Sequence, residues 1–236
     1  MKEKLYTNIK KMLIKYSKIF WILLNMLGMY CSLLGINPEK SLFENRIAVF
    51  VYGFILFPVI TGLLFGLFQG LYIKLLNRTN RIAGWILKTS LSLWLFFIFK
   101  FVFVINIFPW LSMQFGASSY NLIGIAVFFK SQNIFSEVVM TILSGSVLGI
   151  FNGLFVGLFQ SSEFKQKSLR PKWIFRVTLS YLSGFLITSI VLAVCLYLLP
   201  VVNTGMVNRI GTVILGLILG VMTYAGITEN FVGQDS

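Results

Sequence analysis

Residues 145–160 read GSVLGIFNGLFVGLFQ. Glycine returns at every fourth position, Gly145, Gly149, Gly153 and Gly157, inside an apolar run from 134 to 159 whose single charge is Glu137. A run longer than about 20 apolar residues crosses the roughly 30 Å hydrocarbon core of a bilayer as a helix. On that helix the four glycines share a face and form a groove without side chains. Gly62, Gly66 and Gly70 repeat the spacing, and so do Gly216 and Gly220. In lipid, leucine against leucine gains little over leucine against acyl chains, so close backbone packing supplies much of helix association. The glycines are therefore read as helix-packing residues, with a ligand approaching bare backbone as the other use.

The rest of the chain agrees with this setting. Hydrophobic residues make up 57% of the 236 positions and charged ones 11%, where soluble domains carry about 25% charge. Mean hydropathy is +0.86. The expected fold class is all-α, a polytopic helical membrane protein. Six spans are expected, at 19–36, 47–73, 83–108, 134–159, 174–200 and 209–227, followed by a short tail at 228–236. Residues 1–18 form a basic lead that resembles a signal peptide in outline. The apolar run after it exceeds a signal h-region and no small-x-small site follows, so an uncleaved first span is expected.

Proline placement fits these limits. Pro38, Pro109 and Pro200 stand at or beyond span ends, Pro171 stands just ahead of the fifth span, and only Pro58 falls inside a span, where a kink is expected. Lysine and arginine then orient the chain. Lys2, Lys4, Lys10, Lys11, Lys15 and Lys18 lie at the start, and Lys74, Arg78, Arg81 and Lys88 join spans two and three. Lys165, Lys167, Arg170, Lys172 and Arg176 join spans four and five. With six spans these regions share one side, which the positive-inside rule makes cytoplasmic, together with both termini. The formal charge of +13 thus sorts by loop. Lipid, with anionic headgroups at the cytoplasmic face, is the expected partner, and nucleic acid is not. Leu5, Ile9, Met12, Tyr16 and Ile19 recur at helical spacing through the lead segment. It either lies along that leaflet or is a solvated basic tail. The stretch NLIGIAVFF, 121–129, is too short to span and reads as a re-entrant or interfacial piece, or as the early start of the fourth helix.

Residues 62–69, GLLFGLFQ, and 153–160, GLFVGLFQ, are nearly identical, and the likeness continues downstream. Trp85 matches Trp173, Lys88 matches Arg176, Ser90 matches Thr178 and Ser92 matches Ser180. This reads as a duplicated hairpin, about 47–108 and 134–200, with both copies entering the membrane in the same direction. GLILGVMT at 216–223 is a third echo, with threonine at the glutamine position, too slight to count as a repeat. Gln69 and Gln160 close the glycine-lined helices and are expected to bond across to the companion hairpin, with a solute contact as the alternative. Trp85, Trp173, Lys88 and Arg176 are expected to anchor the cytoplasmic interface, the rings in an aromatic belt and the cations by snorkelling.

Chemistry is scarce. There is no histidine, and the few acids include no pair to divide acid and base roles or to hold a cation. Ser144–Ser146 has no activating base nearby in sequence, and the glycine spacing is unlike a phosphate-binding loop. No cofactor, metal or catalytic residue is expected. Cys31 and Cys195 sit in apolar runs as packing thiols. Lys100 and Glu137 are the charges closest to the membrane interior, candidates for an ion pair with each other, Glu137 for one with Lys130, or both for snorkelling outward.

The pattern G-x-x-x-G-x-x-Q, then a basic turn, then tryptophan, carried by 62–94 and 153–182, resembles a diffuse group of small multi-pass bacterial membrane proteins, frequent in cyanobacteria, that repeat such hairpins. The resemblance implies architecture and a bacterial inner membrane, and no activity. The functional expectation is a non-enzymatic membrane scaffold or accessory subunit, joining another membrane protein or its own copies through glycine-lined faces. The alternative is a small-solute transporter, or the membrane-embedded subunit of one, with a polar midplane cavity reached by Asn25, Asn106 or Asn152.

Overall fold

The computed structural model describes residues 16–34, 51, 55–77, 82–114, 116–123, 126–131, 133–198 and 204–231. Expectations for the lead segment up to 15, the 35–50 connection with Pro38, Arg78 and Arg81, Pro200 and the tail beyond 231 lie outside them.

The described chain is helical apart from one small hairpin. The helices are α1 (Ser17–Leu34), α2 (Phe57–Asn77), α3 (Ile82–Gln114), α4 (Ile134–Ser161), α5 (Arg170–Leu198) and α6 (Thr204–Phe231). Five of them hold stretches long and apolar enough to cross a membrane: Phe57–Leu75, Ile82–Val104, Phe135–Ser161, Lys167–Val191 and Arg209–Glu229. α1 holds a further apolar stretch, Ser17–Cys31. Each helix packs on the next and α6 packs back on α1, so the six described helices close into a ring. At the basal end α1 starts, α2 gives way to α3, α4 gives way to α5, and α6 finishes. The other end is distal.

Local chemistry sets the helix limits. Asn133 caps α4 by accepting from the Phe135 amide at 2.9 Å, and Glu137 in the first turn suits the positive end of the helix dipole. Pro171 lies in the first turn of α5, where its missing N–H costs nothing. Pro58 is the second residue of α2, and residues 55 and 56 just ahead of it are π-helical, so the regular helical ladder is interrupted beside the proline expected to kink the second span. Pro109, expected at a span end, lies within α3. At about 1.5 Å per residue α3 reaches roughly 50 Å, well past the hydrocarbon core. Pro109 has no amide hydrogen to give to the carbonyl four residues earlier in α3.

Within the 121–129 stretch, residues 121–123 and 126–129 are extended, so it is not the early start of α4. β1 (Ala117–Ile123) and β2 (Ala126–Ser131) pair antiparallel, with Tyr120 opposite Phe129 and Ile123 opposite Ala126. Gly116, at φ +66°, turns the chain out of α3 into β1, a conformation that favours glycine. The hairpin packs against the distal ends of α3, α4 and α5.

Large apolar side chains face outward around the ring, including Leu63, Leu67 and Leu71 on α2, Phe175 and Ile187 on α5, and Leu217 on α6. A continuous apolar exterior belongs against lipid. The interior is closed by aromatic rings, with Trp21, Phe65, Trp85, Phe108, Trp173, Tyr181 and Phe185 almost wholly buried.

Candidate functional site

The glycine faces are filled by the chain's own helices. A Cβ at Gly66 would stand 3.0 Å from the Cα of Ile86, and one at Gly157 would stand 3.0 Å from the Cα of Ile174. One turn away, a Cβ at Gly62 would overlap the backbone of Ser90, and one at Gly153 that of Thr178. Gly70 faces Ile82, Gly149 faces Leu182 and Gly145 faces Ser189. Gly216 and Gly220 face Met26 and Ile22 of α1, where an added Cβ would stand 2.7 and 2.6 Å from the Cα atoms.

Above these crossings, at the basal end, a buried polar chain links three parts of the ring. Gln160 Nε2 donates to Gln69 Oε1 and to Thr89 Oγ1, each at 2.9 Å. Gln69 Nε2 donates to Asn25 Oδ1 at 2.8 Å, and Asn25 Nδ2 donates to the Trp21 carbonyl at 2.8 Å. Trp85 Nε1 donates to Gln69 Oε1 at 3.2 Å, and Trp21 Nε1 donates to Thr223 Oγ1 at 3.0 Å. Asn25 and Thr89 are fully buried, and Gln69 and Gln160 nearly so. Buried amides are costly unless bonded, and here the glutamines bond to each other.

Trp85 and Trp173 are each only 1% exposed, which overturns their reading as an aromatic belt. Their rings meet at 5.8 Å, edge to face, and Phe164 packs on both, so they are core residues of the basal end. Their placement beside basic loops suggested an interface because sequence position reports depth and not direction. Lys88 and Arg176 do reach outward, and each also holds an acid: Lys88 pairs with Glu163, and Arg176 grips Glu229 through two bonds, at 3.0 and 3.2 Å. Neither acid was foreseen as a partner. The available signal was their position at the ends of α4 and α6, level with the basic turns.

Lys100 is buried, with its ammonium 5.8 Å from the Phe97 ring centre. Its neighbour Phe99 stacks on Phe151 of α4 at 4.1 Å. Glu137 lies in the first turn of that helix, roughly 20 Å further toward the distal end at about 1.5 Å per residue. The structure therefore sets these two charges at different depths and does not bring them together. Of the asparagines, Asn25 is part of the polar chain, Asn106 is exposed and bonds the Val102 carbonyl of its own helix at 2.8 Å, and Asn152 is buried in α4. A groove of about 320 Å³ between α4 and α5, lined by Val138, Ile142, Ile190 and Val194 among others, is apolar.

Among the described residues, buried side-chain atoms without a hydrogen-bond partner fall on one hairpin. They are Asn152 Oδ1, Arg170 Nε, Trp173 Nε1, Thr178 Oγ1, Tyr181 OH and Ser189 Oγ, all in α4 or α5. Cys31 carries a free thiol, and the described His, Cys, Asp and Glu residues form no group that could hold a metal.

Long apolar helices, an apolar exterior and a bonded polar interior define a multi-pass helical membrane protein. Beyond that class the chain matches no family model, no curated protein and no solved structure.

Proposed function

We propose that the protein is a non-enzymatic scaffold or accessory subunit of a bacterial inner membrane, with both termini cytoplasmic. The observation that carries this reading is the buried chain from Gln160 through Gln69 to Asn25, in which intramembrane amides bond one another and present no site. Membership of the GxxxGxxQ hairpin group belongs to the same proposal. One element of the expectation changes. The glycine-lined faces are occupied within the chain, so another membrane protein or a second copy must meet the outward apolar faces or the basal end. Lys74, Lys165, Lys167 and Lys172 gather at that end and suit anionic headgroups.

Purification in mild detergent after crosslinking tests the proposal. A defined homo-oligomer or a co-purifying membrane protein is expected, and a monodisperse monomer without a partner contradicts it. The transport reading draws on Asn152 Oδ1 and the Tyr181 hydroxyl, polar atoms buried without partners. In a background lacking Cys31 and Cys195, a cysteine at 152 separates the two readings. A scaffold shields it from a water-soluble thiol reagent, whereas a solute path exposes it.

A further inference from the structure

The contacts of α6 with α1 reproduce those inside the two looped hairpins, position by position. In α2–α3, Gly66 meets Ile86, the residue after Trp85, and Gly62 meets Ser90, five after it. In α4–α5, Gly157 meets Ile174, the residue after Trp173, and Gly153 meets Thr178, five after it. In α6 and α1, Gly220 meets Ile22, the residue after Trp21, and Gly216 meets Met26, five after it. The position three after the second glycine is Gln69, Gln160 and Thr223 in turn, and all three are buried.

The contacts between neighbouring pairs also follow one rule around the ring. Gln160 reaches Thr89, four residues past Trp85, and Gln69 reaches Asn25, four residues past Trp21. In the third pair the equivalent positions are Thr223 and Val177, four past Trp173, and both are buried, without a hydrogen bond between them because the valine side chain offers none. Each tryptophan packs at the basal end of the following pair's first helix: Trp85 on Phe164, three residues past the end of α4, at 6.2 Å, Trp21 on Tyr72 of α2 at 5.0 Å, and Trp173 beside Gly226 of α6. Two helices from opposite ends of a sequence have no local reason to match a looped hairpin at so many positions. Chance similarity of glycine-rich helices does not produce a cyclic rule of contact.

We propose that α6 and α1 are a third hairpin equivalent to the other two, closed by docking instead of by a loop, and that α1 is the strap that completes a pseudo-threefold ring. Trp21 and Asn25 are its lock. They supply to α6 and α2 what Trp85 with Thr89, and Trp173 with Val177, supply elsewhere in the ring. The weak glycine echo in α6 is then the first half of a unit whose second half opens the chain.

A circular permutant tests this. Residue 236 is joined to residue 1 through a short flexible linker, and the chain is reopened within 162–169, so that old and new ends share the basal side. The permutant is expected to insert, to elute with the parent in detergent and to melt close to it, because each hairpin is equivalent and only the covalent joints move. Loss of folding in the permutant, while the parent carrying the same linker inserted within 162–169 folds normally, overturns the proposal. A second comparison stands whatever the permutant does. Leucine at Gly66, Gly157 and Gly220 in separate full-length variants is expected to lower the folded fraction to a similar extent. A tolerated Gly220→Leu beside damaging Gly66→Leu and Gly157→Leu contradicts the equivalence.

Discussion

Hairpins α2–α3 and α4–α5 have the same backbone approach and different polar interiors. A Cβ added at Gly66 or at Gly157 would stand at the same 3.0 Å from the facing Cα. Yet Trp85 gives its N–H to Gln69 while the matching N–H of Trp173 has no partner, and Ser90 bonds the Val59 carbonyl at 3.0 Å while Thr178 Oγ1 bonds nothing. Small residues fix how closely two membrane helices can approach, because that limit is steric. Polar side chains are placed under a looser rule, since a membrane hydrogen bond contributes only about 0.6 kcal/mol on average.

The comparison can be broken most severely at the glycines. Gly62→Leu and Gly153→Leu each force a side chain into the opposing backbone, and overpacking of this kind costs about 1–3 kcal/mol or more. Both variants should lose much of their folded fraction in a detergent unfolding assay, and to a like degree. The tryptophans come next and should part company. Both Trp85→Phe and Trp173→Phe shrink a buried ring and leave a cavity, but Trp85→Phe also removes a bond to Gln69 and should cost about 1 kcal/mol more than Trp173→Phe. Equal losses in thermal midpoint would erase the distinction between the hairpins.

The tyrosines extend the contrast. Tyr72 donates to the Ser17 carbonyl at 3.1 Å, so Tyr72→Phe should lose about 0.5–1.5 kcal/mol. Tyr181→Phe, which deletes an unbonded buried hydroxyl, should leave stability unchanged or raise it. Smallest of all are the ion pairs. Arg176 and Glu229 are partly exposed, and removing such a pair typically changes stability by about 0.2–1 kcal/mol. Arg176→Met should therefore shift the midpoint slightly, and less at high salt.

Much of this fold was legible because its signals are long. Apolar runs gave the crossing helices, and the four-residue glycine period gave the faces that pack, although not that those faces pack on helices of the same chain. The glutamines were readable as bonding across hairpins because an amide at that depth has few other outcomes. The tryptophans were misread, since a ring at the end of a span faces headgroups or core according to helix rotation, which 16% aromatic content does not reveal. The distal β-hairpin was hidden in a short apolar stretch with no turn signal beyond Gly116 and Gly124. α1 concealed its kinship because its half of the pattern carries the tryptophan and not the glycines, and its other half lies at the far end of the sequence.

The central claim is that the buried amides hold helices together. A double-mutant cycle on Gln69→Leu and Gln160→Leu, read by reversible unfolding in mixed micelles, tests it most directly. The account predicts a coupling of about 0.6–1.7 kcal/mol between the two sites, with insertion retained in every variant. Strictly additive effects, or two substitutions that leave stability untouched, would contradict it.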